Sequence, residues 1–174
     1  MRVLGIDPGT IRMGYGLVEA PDNGSGQIVA GDWGVVALPP SLPLEVRLFQ
    51  LHSHVLNMIS IWQPDAVAVE EPFMGRGEYQ YVTSAFAIGQ AQALVLIAAA
   101  GQAIPVSRYS PAQVKRAIAD YGAATKEQVQ EMVKVFLRLD SVPSPSDAAD
   151  ALAIALCHLR QRQVEDVLSR EIRP

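Results

Sequence analysis

The sequence predicts a mixed α/β domain, with a five-stranded sheet that opens as an antiparallel three-strand meander and carries helices on both faces. Three observations lead there. Residues 1–38 hold three short strand-like runs separated by turn residues. Two further apolar runs, at 66–70 and 104–109, alternate with stretches of helical periodicity. No repeat or linker interrupts a chain whose 174 residues, 49% apolar and 18% charged, suit one domain spanning 1–174.

Residues 2–6 alternate around Gly5 and end at Asp7-Pro8-Gly9, a strand running into a turn. Residues 14–18 form a second strand, Asp22-Asn23-Gly24-Ser25-Gly26 a turn, and 27–38 a third strand ended by Pro39 and Pro40. Leu44, Leu48, Leu51, Val55, Ile59 and Trp62 recur at spacings of three and four, one apolar helix face. Pro64-Asp65 stops that helix, and Ala66-Val67-Ala68-Val69-Glu70 reads as a buried strand. Residues 73–79, with Gly75, Arg76 and Gly77, read as a loop, and a small-residue helix follows over roughly 80–100. In that helix Gly89, Ala91 and Ala93 permit close packing, within the core or across a dimer axis, with the core the first expectation for any one of them. Ser110-Pro111-Ala112-Gln113 and Thr125-Lys126-Glu127-Gln128 are capping boxes that open two more helices. A Pro/Ser-rich loop at 141–146 leads to the final helix from about Asp147, with a frayed tail expected from about 163. His158, placed near the end of that helix, reads as a surface residue.

The start of the chain lacks the basic head and apolar run of a signal peptide. The apolar stretch at 85–100 is broken by Gly89, Gln90 and Gln92, so no membrane partner is expected. The single cysteine, Cys157, has no internal partner, which fits a reduced, cytoplasmic protein. The net charge of −4 argues against a purely electrostatic nucleic-acid binder. Two bound divalent cations would bring that charge to zero, so a polyanionic partner is not excluded.

Four acids sit where strands stop or a helix starts. Asp7 ends the first strand on the face of Val3 and Gly5. Glu70, with Glu71 beside it, ends the run 66–69. In Asp147-Ala148-Ala149-Asp150 the i,i+3 spacing puts both carboxylates on one helix face, with two alanines leaving room for something to approach. Oxygen-only ligands suit Mg²⁺ or Mn²⁺ rather than Zn²⁺. Two such ions roughly 4 Å apart can activate a water and stabilise the leaving oxygen of a phosphodiester. Taken singly, each acid also reads as a turn aspartate, a solvated strand end or a helix-dipole partner. The set of four is harder to dismiss than its members.

These residues, in this order, resemble the RuvC family of Holliday-junction resolvases. The stretches are Leu4-Gly5-Ile6-Asp7-Pro8-Gly9-Thr10 with Gly14-Tyr15-Gly16, Glu70-Glu71-Pro72-Phe73-Met74, Gly89-Gln90-Ala91, Gln113-Val114-Lys115, Lys126 with Gln128-Val129, and Asp147-Ala148-Ala149-Asp150-Ala151-Leu152-Ala153. They cover nearly the whole chain. The resemblance implies an RNase H-like fold and an endonuclease that resolves four-way DNA junctions by paired symmetric nicks. It implies two Mg²⁺ or Mn²⁺ ions held by Asp7, Glu70, Asp147 and Asp150, with Asp7 bridging them, and it selects Glu70 over Glu71. Lys115 and Lys126 match basic catalytic and DNA-binding positions, where an ammonium can neutralise charge developing on a phosphate. Phe73 matches an aromatic that stacks on an unpaired base at the crossover. A homodimer and a branch-migration complex of helicase motor and junction-binding protein are further implied.

Arg76 and Tyr79 extend the DNA-binding surface in this reading. The chain departs from some relatives in a longer loop from Gly75 to Tyr81, and in Asp147 where some carry histidine. Asp-x-Gly-Thr also begins the phosphate loops of actin-like ATPases and sugar kinases, but those need two lobes and a later glycine-rich loop that this sequence lacks. A non-catalytic junction-binding relative and an enzyme cutting RNA–DNA hybrids are the other rivals.

Overall fold

The computed structural model describes residues 1–21, 26–71 and 79–171, with the backbone alone at 79–84, 166, 167, 170 and 171. Its elements run β1 (Arg2–Asp7), β2 (Arg12–Glu19), β3 (Val29–Ala37), α1 (Leu44–Trp62), β4 (Ala66–Glu70), α2 (Tyr79–Gly101), β5 (Val106–Tyr109), α3 (Pro111–Ala119), α4 (Lys126–Leu137) and α5 (Ser146–Glu171). The sheet order is β3-β2-β1-β4-β5. β1 pairs antiparallel with β2, and β2 with β3, which is the meander read from the turns. β1–β4 and β4–β5 are parallel, so their connections run through helices that cover the faces.

Alternation along the strands sorts the core into two layers. Leu4, Ile6, Leu17, Val67 and Val69 pack with Leu51, Val55 and Ile59 of α1 and with Ala91, Val95 and Ala98 of α2. Val3, Val18, Ala68 and Tyr109 pack on the other face under α3, α4 and α5. α1 ends with Gln63 in the left-handed region and Pro64 behind it, where the missing N–H and fixed φ forbid continuation. β5 begins two residues later than its apolar run suggests. The Ile104 N–H is spent on the Ala99 carbonyl at 3.0 Å, closing α2, and Pro105 has none to give. Both capping boxes are formed. Gln113 N–H donates to Ser110 Oγ at 3.3 Å and Gln128 N–H to Thr125 Oγ1 at 3.2 Å, each glutamine side chain accepting the N-cap N–H in return.

α5 lies unusually close to the sheet because glycines meet it there. A Cβ built on Gly5 would stand 2.1 Å from the Ala151 carbonyl oxygen, and one on Gly14 2.1 Å from that of Asp147. Ala151 and Ala155 are fully buried on this contact. The two alanines between the aspartates, Ala148 and Ala149, are fully buried too, so they leave no open approach between the carboxylates. α5 continues to Glu171, past position 163. His158 thus falls mid-helix on the buried face, not at a surface end, and its Nδ1 pairs with the Tyr109 hydroxyl at 2.7 Å. Cys157 is buried, and burial pushes its thiol up to about 12. Ala91 packs in the core, but Ala93 is exposed and nothing stands within 4 Å of a Cβ at Gly89. No helix among the described residues is long and apolar enough to cross a membrane.

Candidate active site

Asp7 and Glu70 leave the sheet side by side. The parallel register of β1 and β4 ends at Ile6↔Val69, and each acid is the next residue of its strand. Period-2 alternation puts Asp7 on the face of Val3 and Gly5, and Glu70 on the face of Ala68, both toward α5. The Gln92 side chain donates to the Glu70 carbonyl at 3.0 Å, and the Glu71 N–H donates to the Tyr109 carbonyl at 2.8 Å. This pins the strand exit and leaves Glu71 exposed on the opposite side. α5 opens against Gly14 of β2, which brings Asp147 and, one turn on, Asp150 over the same corner. The corner is built by two neighbouring parallel strand ends and a helix start seated on a glycine.

The charges there are strongly coupled. Burial, then the neighbouring charges of Asp150 and Asp147, push the Asp7 carboxyl up to about 6. Burial, then Asp7 and Asp150, push Glu70 up to about 7 against the opposing pull of Lys126 and Lys115. Asp150 is also raised, by burial first, with Lys126 opposing. Asp147 behaves oppositely, because the hydrogen bond from Arg12 holds it below the usual carboxylate range. Lys126, first residue of α4, reaches Asp150 Oδ2 with its Nζ at 2.6 Å. Arg12 reaches Asp147 Oδ2 with Nη2 at 2.8 Å and Nε at 3.2 Å.

Among the described residues, no three acidic, histidine or cysteine side chains are arranged to hold one metal ion between them. The four carboxylates share a corner and feel one another's charge, but the outer two are turned onto side-chain cations. The donor chemistry fits a hard divalent ion nonetheless. All four offer oxygen, and the buried pair carries more negative charge than its surroundings relieve. Lys115, half-buried on α3, acts on Glu70 through its charge. Phe73 and Arg76 lie outside the described residues, and Tyr79 opens α2 with its side chain outside them. Sequence reasoning missed Arg12. Its signal was available, since Arg12 shares the face of Gly14 and Gly16 that meets α5, two residues from the contact with Asp147.

The raised pair gives a pH prediction. A carboxyl whose folded pKa lies above its unfolded value stabilises the fold at low pH, and that contribution is lost as pH rises through about 6 to about 7. His158, lowered by burial, acts in the opposite sense over part of this window, so the test is a comparison. Relative to an Asp7→Asn/Glu70→Gln variant, the metal-free protein should lose several degrees of melting temperature between about pH 5 and about pH 8, at roughly 2–4 °C per kcal/mol. Added Mg²⁺ should restore most at the upper end, where protons no longer compete. Parallel melting curves for the two proteins would contradict this account of the corner.

Residues 3–158 match the family profile described as crossover junction endodeoxyribonuclease RuvC. The chain is similar to the proteins of that name from Thermomicrobium roseum, 48% identical over 92% of this chain and 93% of the relative, and from Dehalococcoides mccartyi, 43% identical over 98% of each. It also superposes on Thermus thermophilus RuvC in complex with a Holliday junction substrate, with TM-score 0.85 and 39% identity over 95% of this chain and 96% of that one. A yeast mitochondrial resolvase, at 17% identity and TM-score 0.60, shares the fold.

Proposed function

Because the chain belongs to the RuvC family of crossover junction endodeoxyribonucleases, we propose that it resolves four-way DNA junctions at the corner formed by Asp7, Glu70, Asp147 and Asp150. The observation that carries the site assignment is the convergence of two adjacent parallel strand ends and one helix start on that corner. The family's nucleases depend on divalent metal. We assign two Mg²⁺ or Mn²⁺ ions per site, held by the four carboxylates. Bound there, such ions activate water and stabilise the leaving oxygen of the phosphodiester.

The chain's own groups supply the rest. Asp7 and Glu70, half-withdrawn from water, are anionic ligands whose repulsion a divalent cation relieves. Lys126 and Lys115 place positive charge beside them, where a scissile phosphate's developing charge would be neutralised. Phe73, Arg76 and Tyr79 belong to the segment proposed to meet the junction's open centre. A serine or cysteine nucleophile is not required.

The same reading treats residues 1–174 as one nuclease domain that works as a homodimer in the cytoplasm beside a branch-migration complex. Support for the dimer comes from α2, where Phe86, Gln90, Ala93 and Ile97 form an exposed stripe at helical spacing; Phe86 is 72% and Ile97 65% exposed. Phe86→Glu with Ile97→Glu should halve the mass seen by sedimentation, and an unchanged mass would remove α2 as the interface. The function itself is tested with a synthetic four-way junction and a linear duplex of the same sequence. Paired nicks confined to the junction are expected with Mg²⁺ or Mn²⁺, and none with chelator. Equal cutting of the duplex, or cutting in chelator, would sink the proposal.

A further inference from the structure

Arg12 has no part in the function argued so far, yet it makes two of the hydrogen bonds at the proposed site. Its Nη2 and Nε both converge on one oxygen of Asp147, at 2.8 and 3.2 Å. The pair sits on the lip of the corner, with the arginine side chain 48% and the aspartate 27% exposed. Ion pairs in such positions are weak and readily exchanged. The backbone on either side is held. The Leu38 N–H donates to the Ile11 carbonyl at 2.8 Å, and Arg47 Nη1 donates to the Thr10 carbonyl at 3.1 Å. Only the Arg12 side chain has to move for the pair to open.

We propose that Arg12 is a place-holder for metal at Asp147: it competes with a divalent cation for that carboxylate and, once displaced, turns its guanidinium to a phosphate of the junction. The inference rests on the metal-site reading above. Three features converge on it. A carboxylate cannot be fully shared between a guanidinium and a dication, because the two positive charges repel across a few ångströms. A guanidinium does not lose its proton, so displacement leaves an uncompensated positive charge at the rim of the site. Its planar fork matches phosphate oxygens, and half of the side chain already faces solvent. Lys126 on Asp150 is the companion pair, already assigned to the machinery; Arg12 sits on the opposite, β2 side of the corner. Metal loading would therefore expose a DNA contact only when the site is ready to cut.

The test compares the full chain with Arg12→Gln and Arg12→Lys. Mn²⁺ binding without DNA is measured by calorimetry, and junction binding is measured against salt, once with Ca²⁺ and once with chelator. Arg12→Gln should bind Mn²⁺ at least ~3-fold more tightly, since both a competitor and a like charge are gone. Arg12→Lys should fall between it and the parent. With Ca²⁺ the parent's salt slope should be steeper than that of Arg12→Gln by about 0.9, the worth of one phosphate contact, while in chelator the two slopes coincide. Equal or weaker Mn²⁺ binding by Arg12→Gln overturns the place-holder role. Slopes that agree with Ca²⁺, or already differ in chelator, overturn the hand-over to phosphate. A parent chain that binds no Mn²⁺ sinks the metal-site reading itself, and this inference with it.

Discussion

Asp7→Asn is expected to lower the rate of junction cleavage by roughly a thousandfold, the equivalent of about 4 kcal/mol of transition-state stabilisation, while junction binding persists. The substitution keeps the shape of the side chain and removes the charge at the centre of the acidic corner. Asp7 is the acid that both Asp147 and Asp150 raise, and it in turn raises Glu70, so it is the carboxylate through which the charges of the corner meet. Loss of activity by unfolding is distinguishable. An ionised, mostly buried carboxylate with a raised pKa destabilises the metal-free fold above about pH 6, so asparagine should leave the melting temperature in chelator equal or higher. Cutting at the parent's rate would remove Asp7 as an essential ligand.

Gly5→Val should cost about 3 kcal/mol or more, and roughly 6–12 °C in melting temperature. The added Cβ meets the Ala151 carbonyl oxygen at 2.1 Å and the Ala155 nitrogen at 2.9 Å, both backbone atoms of a regular helix with no rotamer to yield. α5 must lift off the sheet, and Asp147 and Asp150 lift with it, so metal affinity should fall together with stability. Gly101→Ala is the matched control, because nothing stands within 4 Å of its Cβ, and its effect should stay within about 0.5 kcal/mol. Equal melting temperatures for the two variants would mean that the glycine contacts do not position the helix.

The parts of this fold legible in the sequence are those with local causes. The capping boxes at Ser110 and Thr125 and the Leu51-Val55-Ile59 face of α1 each state a structure within a few residues, and the elements formed there. The start of β5 was less legible, because the Ile104 N–H goes to the Ala99 carbonyl to close α2, and an apolar run does not show where the preceding helix ends. His158 was misplaced because helix length sets its environment, and nothing near 163 announces that α5 runs on to Glu171. At the candidate site the acids stood out because charge at the end of an apolar strand is costly without a purpose. The close seating of α5 was hidden, since Gly5 and Gly14 show no partner until Ala151 and the Asp147 backbone are brought against them. Arg12 was hidden for a similar reason. An exposed arginine at a strand start is unremarkable until a helix 135 residues away delivers Asp147 to it.

Diffraction at the manganese edge from crystals grown with Mn²⁺ asks the central question without relying on catalysis. The account predicts anomalous peaks bounded by the carboxylates of Asp7, Glu70, Asp147 and Asp150, with Asp147 released from Arg12. An enzyme that nicks junctions in Mn²⁺ yet shows those four side chains apart, with no peak between them, would contradict it.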